Sequence, residues 1–308
     1  MTVDASTPPA TSSDATSAST EPALSFDTMK LSEPVRRAVR EAGYAAPTSV
    51  QAAVFGPITD GRDVIVQSRT GSGKTAAFAL PLLDRVIQQG KGVQAMVLCP
   101  TRELALQVAG EAARLGKHQG LSVCAVYGGA SMEKQLAELN AGAEFVVGTP
   151  GRTLDHLRRG TLKVQGLKAI ILDEADEMLS MGFAEELNAI LEYIPKKRQG
   201  LLFSATMPES IQRLARRHLS EPEFITLSSD NVAPIDITHF VYFVGLASRS
   251  GELARILEAE KPERAIVFCN TKDETVSVAR ELQRLGLAAE YINGDLEQAA
   301  REQIGRAH

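Results

Sequence analysis

Short apolar runs alternate with helical stretches along most of this chain. The predicted strands are DVIVQS (63–68), AMVLCP (95–100), SVCAVYG (122–128), EFVVGT (144–149), AIILDE (169–174) and GLLFSAT (200–206). Between them lie apolar residues at helical spacing, as in ELALQVAGEAARLGKHQ (103–119) and FAEELNAILEYI (183–194). Strands that are apolar throughout need cover on both sides, so the alternation predicts an α/β fold with a parallel sheet covered on both faces.

A glycine-rich loop, SRTGSGKT (68–75), follows the first of these strands and precedes the helical pattern AAFALPLLDRVI. A strand, such a loop and a helix form the context that a phosphate-binding loop requires. Gly71 and Gly73 let backbone N–H groups turn inward, and the helix N-terminus adds partial positive charge. Lys74 is then placed to reach the β- and γ-phosphates of a nucleotide, and Thr75 to bind Mg²⁺.

The loop departs from the usual pattern G-x-x-x-x-G-K-[ST] at one position, where Ser68 replaces the first glycine. Taken alone, the eight residues could instead form a flexible Gly/Ser turn followed by a chance Lys-Thr. We predict a nucleotide site, whose candidate loop ligands are Ser68, Thr70, Gly71, Ser72, Gly73, Lys74 and Thr75.

Composition narrows the class of protein. The 308 residues are 44% hydrophobic and 23% charged, which is typical of a soluble globular protein of about two domains. The net charge of −5 gives no global sign of nucleic-acid binding, although a local basic stripe would be enough. No apolar run approaches the roughly 18 residues that cross a membrane. Cys99, Cys124 and Cys269 have no metal-type spacing and indicate reduced core thiols in a cytoplasmic protein.

The chain divides into four predicted segments. Residues 1–22 are rich in Ser, Thr, Ala and Pro, lack the features of a signal peptide and predict a disordered tail. Residues 23–227 form the first domain, and SSDNVAPID (228–236) is a linker. Residues 237–308 begin a second α/β unit, with predicted strands ITHFVYFV (237–244) and AIVFCN (265–270) and predicted helices ELARILEAEK (252–261) and DETVSVARELQRLG (273–286).

Two acidic residues end the apolar strand in AIILDEAD. Asp173 is placed to bind Mg²⁺, and Glu174 to orient or deprotonate an attacking water. Taken alone, such a pair could equally cap the next helix. The phosphate-binding loop about 100 residues upstream favours the nucleotide interpretation.

Eight segments of the chain occur in the order found in the DEAD-box RNA helicases: GYAAPTSVQ, SRTGSGKT, PTRELA, GG, TPGR, DEAD, SAT and VFCNT. The chain resembles this family, which belongs to superfamily 2, over about residues 24–303. The resemblance implies a RecA-like P-loop domain followed by a partial second RecA-like domain, with ATP in the cleft between them and RNA across both. DEADEMLSMGF is similar to the bacterial cold-shock and ribosome-associated members.

The resemblance also assigns nucleotide residues. The adenine-recognition motif of the family matches Phe26, Tyr44, Thr48 and Gln51. An amide can contact the N6/N7 edge of adenine and an aromatic ring offers a stacking face, although Gln51 alone would suggest a helix-surface glutamine. The SAT motif, which in the family links hydrolysis to strand separation, matches Ser204 and Thr206, with Asp176 as a hydrogen-bond partner. Alone, these two residues could simply cap a strand end.

The family's RNA contacts match a further set of residues. Hydroxyls, glycine N–H groups and arginines suit phosphate and sugar contacts, which position a strand without reading its sequence. Contacts with 2′-hydroxyls favour RNA over DNA. Arg102 alone could be a solvated first-turn residue, and His118, His156, His218 and His239 have no ligand-like spacing. The candidate RNA-binding residues are Pro100, Thr101, Arg102, Gly128, Gly129, Thr149, Gly151, Arg152, Thr271, Gly294, Asp295, Gln298 and Arg301.

The resemblance implies an ATP-dependent RNA helicase that uses ATP and Mg²⁺ and has RNA as its partner. Two family segments, DxAARGxD and the arginine-finger segment HRxGRxGR, do not occur in the 308 residues. We therefore expect a C-terminally truncated chain with hydrolysis near background. The alternatives are a non-catalytic, adenine-nucleotide-dependent RNA clamp or fragment and a DNA helicase, the latter disfavoured by the adenine motif together with DEAD.

Overall fold

The computed structural model describes residues 25–69, 71–87, 92–227, 238, 240–244, 249–297, 300–301 and 303–304. The chain divides into two compact units between Asn231 and Val232. The predicted tail (1–22) and linker (228–236) lie outside the described residues, so both remain predictions. None of the described helices is both long and apolar enough to cross a lipid bilayer.

The first unit is built on parallel strands separated by helices. The strands are β1 (Val64–Gln67), β2 (Ala95–Leu98), β3 (Val123–Val126), β4 (Phe145–Gly148), β5 (Ala169–Leu172), β6 (Gln199–Ser204) and β7 (Glu223–Thr226). The helices are α1 (Glu33–Glu41), α2 (Ser49–Thr59), α3 (Lys74–Pro81), α4 (Arg102–Leu115), α5 (Met132–Asn140), α6 (Pro150–Arg158), α7 (Ala175–Ser180), α8 (Ala184–Tyr193) and α9 (Glu209–His218). A π-helical turn extends α3 over Leu82–Val86.

All seven strands pair in parallel, in the order β3-β4-β2-β5-β6-β1-β7. The parallel sheet and its first six strands are therefore confirmed. The seventh was not predicted from the sequence. β7 lies at the sheet edge and alternates half-buried with exposed residues, so it lacks the continuous apolar run of a central strand.

Successive residues of each central strand enter different cores on the two faces of the sheet. On one face, Val97 and Phe203 join a cluster with α1 to α4, where Phe203 meets Phe78 edge-on with ring centroids 5.4 Å apart. On the other face, Met96 and Leu98 join a cluster with α6 to α9. Full burial of each such side chain contributes about 1.5–3 kcal/mol, so both cores fix the sheet that carries the strand-end loops.

The second unit contains α10 (Arg249–Glu260) and α11 (Lys272–Arg284), and no strand forms among its described residues. The strands predicted at 237–244 and 265–270 are therefore wrong where the structure describes them. Phe243 is 99% and Phe268 93% exposed. An apolar run becomes a strand only when a neighbouring strand takes up its backbone hydrogen bonds, and no such neighbour is described here.

Candidate functional site

The loops predicted to bind ligands in the first unit all follow the carboxyl ends of its strands. Because the strands are parallel, these ends meet at one edge of the sheet, where α/β proteins bind ligands. Three neighbouring strands carry Gly128–Gly129 (after β3), Thr149–Arg152 (after β4) and Pro100–Arg102 (after β2); we call this the β3-β4-β2 half. The next three strands carry Asp173–Glu174 (after β5), Ser204–Thr206 (at the end of β6) and the 68–75 loop (after β1), and we call them the β5-β6-β1 half; β7 carries no predicted site residue.

The glycine-rich loop has the backbone that its sequence predicts. Gly71 has φ +82° and Gly73 φ +88°, in the left-handed region that glycine adopts at little cost. Gly73 is the N-cap of α3, which begins at Lys74. The Ser68 N–H donates to the Ser204 carbonyl at 3.1 Å, and this bond ties the loop to the end of β6.

Ser72 and Thr75 are also described by the structure. The Ser72 hydroxyl lies 3.4 Å from the Ser68 hydroxyl, and Thr75 is half-buried in the first turn of α3. Thr70 lies outside the described residues. The serine that replaces the first consensus glycine is therefore compatible with a folded loop.

Two opposite charges are buried beside this loop. Lys74 is 6% and Asp173 2% exposed, and Lys74 Nζ lies 3.9 Å from Asp173 Oδ1. Neither atom has a hydrogen-bond partner among the described residues. Burial raises the pKa of Asp173 to about 6, with Lys74 opposing and Glu174 adding to the increase. Buried polar atoms without partners are rare in proteins, so this pair indicates a site shaped for a further ligand.

Glu174 follows with an unusual backbone. Its φ of +53° and ψ of +51° place a non-glycine residue in the left-handed region, which costs of order 1–3 kcal/mol and is concentrated at functional sites. Glu174 occupies the N-cap position of α7, but its side chain makes no capping hydrogen bond. A capping role therefore does not explain this acidic residue.

The predicted adenine motif is joined directly to the loop. Thr48 and Gln51 form a capping box at the start of α2, in which Gln51 Oε1 accepts from the Thr48 N–H at 3.0 Å. Gln51 Nε2 donates to the Gly73 carbonyl at 3.2 Å. Gln51 is 1% exposed, so it is not a helix-surface glutamine. Its amide holds the loop and the start of α2 together.

The two aromatic residues of this motif meet at 6.2 Å between ring centroids, edge to face. Phe26 is 7% exposed and belongs to the core. The Tyr44 hydroxyl donates to the Glu111 carboxylate, and the Arg114 guanidinium lies 5.7 Å from the Tyr44 ring centroid. Burial, and then Glu111, raise the pKa of Tyr44 to about 12. Tyr44 therefore braces Phe26 against α4 as a neutral phenol.

Ser204 and Thr206 are linked to the acidic segment. The Thr206 hydroxyl and N–H donate to Asp176 Oδ2 at 2.7 and 2.8 Å. The buried Ser204 hydroxyl donates to the Thr206 carbonyl at 2.8 Å and accepts from the Asp176 N–H at 3.3 Å. The hydrogen-bond partner expected for Asp176 is thus present, and these bonds connect the segment after β5 to the end of β6.

In the β3-β4-β2 half, Arg102 meets the double-glycine loop. Thr101 caps α4 by accepting from the Leu104 N–H at 3.2 Å. Gly129 has φ +81°, and a Cβ built there would lie 2.3 Å from Arg102 Nη1. A glycine is required at this position for its backbone and for the space that the guanidinium occupies. Pro100 is buried and Gly128 half-buried beside them.

The first turn of α6, which follows β4, supplies a second arginine. Thr149 is the N-cap of α6, and Gly151 is exposed in its first turn with open space where a Cβ would stand. Arg152 Nη1 donates to the Ala130 carbonyl at 3.0 Å and to Gln135 Oε1 at 3.1 Å. The three predicted RNA loops of the first unit therefore lie side by side.

Sequence reasoning missed Gln135 and left His156 without a role. Gln135 is 3% exposed and His156 fully buried. Burial and Arg152 both lower the pKa of His156, so its ring is neutral at pH 7. A signal was present in α5, where Met132, Leu136 and Leu139 form an apolar face at helical spacing and Gln135 falls on the same face. A lone amide on an apolar face has to find internal partners.

For the predicted RNA-binding residues of the second unit, the structure gives contacts within that unit. Thr271 caps α11 by accepting from the Glu274 N–H at 3.1 Å. Asp295 pairs with Lys272, and a Cβ at the neighbouring Gly294 would lie 3.4 Å from the Lys272 side chain. Arg301 is half-buried, and Gln298 lies outside the described residues.

Comparison with known proteins agrees with this arrangement. Residues 48–214 match the DEAD/DEAH box helicase family. A protein of Klebsiella pneumoniae named ATP-dependent RNA helicase DeaD is 46% identical over 280 residues, which are 90% of this chain and 43% of that protein. A protein of Bacillus cereus named DEAD-box ATP-dependent RNA helicase CshA is 42% identical over 281 residues, which are 91% of this chain and 54% of that protein. The chain spans about half the length of these curated relatives.

A solved structure is also similar. The crystal structure of a DEAD box protein from the hyperthermophile Methanococcus jannaschii is 40% identical, with a TM-score of 0.65, and the match covers 92% of this chain and 76% of that one. This neighbour confirms the RecA-like fold predicted from the sequence. Because the family matches more than half of its length, the chain belongs to the DEAD/DEAH box helicase family.

Proposed function

We propose that this protein is an ATP-dependent RNA helicase, which couples the binding and hydrolysis of ATP to local unwinding of RNA or remodelling of RNA–protein complexes. The observation that carries the proposal is the buried pair of Lys74 and Asp173, 3.9 Å apart and without hydrogen bonds, beside a glycine-rich loop. Phosphate oxygens would satisfy the ammonium group, and a divalent cation would satisfy the carboxylate.

The donor set fits Mg²⁺. This ion prefers oxygen ligands and usually takes one or two from the protein and the rest from phosphate and water. Asp173 and the Thr75 hydroxyl supply such oxygens, and the described residues contain no cluster of three or more His, Cys, Asp or Glu side chains that could hold a metal alone. A bound Mg²⁺ would neutralise charge on the phosphates.

The chain's own residues carry the other steps of hydrolysis. Lys74 binds the β- and γ-phosphates, and the N–H groups of the 68–75 loop surround them at the N-terminus of α3. Glu174 orients the attacking water and accepts its proton. Ser204 and Thr206, both bonded to Asp176, link this site to the end of β6. Gln51 and Phe26 select adenine.

The β3-β4-β2 half holds the RNA backbone in this proposal. Thr101 and Thr149 offer hydroxyls, the Gly128–Gly129 loop offers N–H groups, and Arg102 and Arg152 offer positive charge. In the second unit, Thr271, Gly294, Gln298 and Arg301 are the proposed RNA-binding residues. The cytoplasm is the proposed compartment, because all three cysteines are free thiols.

Nucleotide selectivity tests the proposal on the chain itself. We expect Mg·ADP to bind more tightly than Mg·GDP, because adenine would exchange the bonds of the Gln51 amide to Thr48 and Gly73 for a bidentate contact, which discriminates bases by roughly 1–3 kcal/mol. Gln51→Ala should remove most of that preference, measured as the ratio of two dissociation constants by isothermal titration calorimetry. Equal affinities in the unsubstituted chain would refute the adenine assignment.

The ratio of the Mg·ADP and Mg·GDP dissociation constants distinguishes adenine recognition from a general effect on folding. Gln51→Ala also breaks the capping box and the bond to Gly73, so both affinities are expected to fall together to some degree. Only loss of an adenine contact changes the ratio. Gln107, exposed on α4, provides the matched control, and Gln107→Ala should leave both affinities and their ratio unchanged.

A further inference from the structure

One buried amide joins two loops of the β3-β4-β2 half. Gln135 Nε2 donates to the Tyr127 carbonyl at 2.9 Å, directly before the Gly128–Gly129 loop. Gln135 Oε1 accepts from Arg152 Nη1 at 3.1 Å, in the first turn of α6 after β4. The same Nη1 donates to the carbonyl of Ala130, directly after the double glycine. Gln135 and Arg152 therefore hold the double-glycine loop from both ends.

The contacts fix the orientation of the amide. If the amide were reversed, its NH₂ group would face the Arg152 donor and its oxygen would face the Tyr127 carbonyl, and both contacts would be repulsive. In the orientation observed, Gln135 Oε1 also lies 3.1 Å from His156 Nε2. His156 Nε2 must then carry the proton, while Nδ1 lies 2.9 Å from the Thr161 hydroxyl. The head group of Gln135 uses one donor and both acceptor positions, which no apolar side chain can replace.

These bonds use only one of the three nitrogens of the Arg152 guanidinium. Arg152 is half-buried, and both of its hydrogen bonds to described residues come from Nη1. Among the residues that the structure describes, Nε and Nη2 have no hydrogen-bond partner. The planar fork of an arginine can bind a phosphate through two nitrogens, and with Nη1 bonded to the protein the Nε and Nη2 edge is the one left for such a contact.

We propose that Gln135 is a positioning residue for RNA binding: it orients Arg152 and holds the double-glycine loop at a set distance from it. The inference rests on the proposed RNA-binding function of this half. Gln135 itself touches no RNA and acts through the two loops. His156 supports it by occupying the second acceptor position of the amide.

A double-mutant cycle tests the positioning role. The probe is fluorescein-labelled oligouridine, with saturating Mg²⁺ and a non-hydrolysable ATP analogue, and its affinity is measured by anisotropy over a range of salt concentrations. Arg152→Ala should weaken binding roughly tenfold and reduce the salt slope by about 0.7, as expected when one phosphate contact to a single strand is lost. Gln135→Met should cause a similar loss and the same change of slope, and adding it to Arg152→Ala should cause little further loss.

Mg·ADP affinity, measured on the same samples, reports the fold of the first unit and should stay unchanged. Gln135→Asn keeps a polar amide but is one methylene too short to join both loops, and it should weaken RNA binding in the same way. The exposed Gln107→Met is the matched control. Independent, additive losses in the cycle would overturn the proposal, and so would loss of Mg·ADP binding together with RNA binding in both Gln135 variants. If the unsubstituted chain bound no oligouridine, the proposed RNA function itself would fail.

Discussion

The two halves of the sheet edge differ in how their buried polar groups are satisfied. In the β5-β6-β1 half, Lys74 Nζ and Asp173 Oδ1 are buried 3.9 Å apart and make no hydrogen bond to any described residue. In the β3-β4-β2 half, the buried head groups of Gln135 and His156 are bonded to each other and to the protein around them. Both halves are built from strand-end loops of one parallel sheet.

This difference indicates two ways of preparing a binding site. A buried charge pair without hydrogen bonds destabilises the free protein. A bound phosphate and cation would satisfy both charges and so offset this cost. A satisfied network costs little and holds its arginine in place before any ligand arrives. We therefore expect the β5-β6-β1 half to lower the stability of the free protein while it raises nucleotide affinity. The β3-β4-β2 half should not lower the stability.

The largest expected effect is on nucleotide affinity. Lys74→Ala removes the cation that faces the phosphates and should weaken Mg·ADP binding by about 100-fold or more, since truncating one partner of a buried charge pair costs roughly 2–5 kcal/mol. Oligouridine affinity without nucleotide should change less than about twofold. Lys117→Ala removes the same charge from an exposed pair with Glu41 and serves as the control. A comparable loss of RNA affinity in Lys74→Ala would show that the two halves are not separate sites.

The second prediction concerns stability, and the two halves should respond with opposite sign. Replacing the pair as Lys74→Met with Asp173→Asn should leave the free energy of unfolding unchanged within about 1 kcal/mol or increase it, because an unsatisfied buried ion pair adds little. Gln135→Met should lower it by about 1–3 kcal/mol, because the Tyr127 carbonyl and Arg152 lose their partner. Urea unfolding with unchanged m-values measures both. A strongly destabilised Lys74/Asp173 double variant would contradict the comparison.

The smallest expected effect lies at the connection between β5 and β6. Thr206→Val removes the hydroxyl bond to Asp176 at 2.7 Å but leaves the N–H bond at 2.8 Å. We expect a loss of about 1 kcal/mol in the free energy of unfolding, the usual net value of one hydrogen bond. Thr226→Val, at an exposed position of edge strand β7, is the matched control and should stay within about 0.5 kcal/mol of the unsubstituted chain. Equal effects of the two substitutions would mean that the hydroxyl bond contributes nothing.

Most of the sheet edge could be predicted from the sequence, because its signals are local. A continuous apolar run followed by GSGKT, DEAD or TPGR specifies a buried strand and the loop after it within about ten residues. Parallel pairing then brings these loops to one edge. The spatial order β3-β4-β2-β5-β6-β1-β7 was not predicted, because it depends on pairing between distant segments.

Two failures have the same physical cause. AIVFCN has the composition of a buried strand, yet Ile266 is 83% and Phe268 93% exposed, with no strand formed. Gln135 lies in a sequence that predicts an ordinary amphipathic helix, yet its side chain joins the segments after β3 and β4. In both cases the outcome depends on partners that are distant in sequence. Neighbouring strands are present for AMVLCP and absent among the described residues around AIVFCN.

The separation of the two sites is the central claim, and hydrogen–deuterium exchange with each ligand tests it most directly. Mg·ADP should slow exchange in peptides covering 68–75 and 173–176 and leave those covering 127–131 and 149–153 unchanged. Oligouridine without nucleotide should slow exchange at 127–131 and 149–153 and leave the 68–75 loop unchanged. Protection of the 127–131 peptide by Mg·ADP, or no protection of the 68–75 loop by it, would contradict the account.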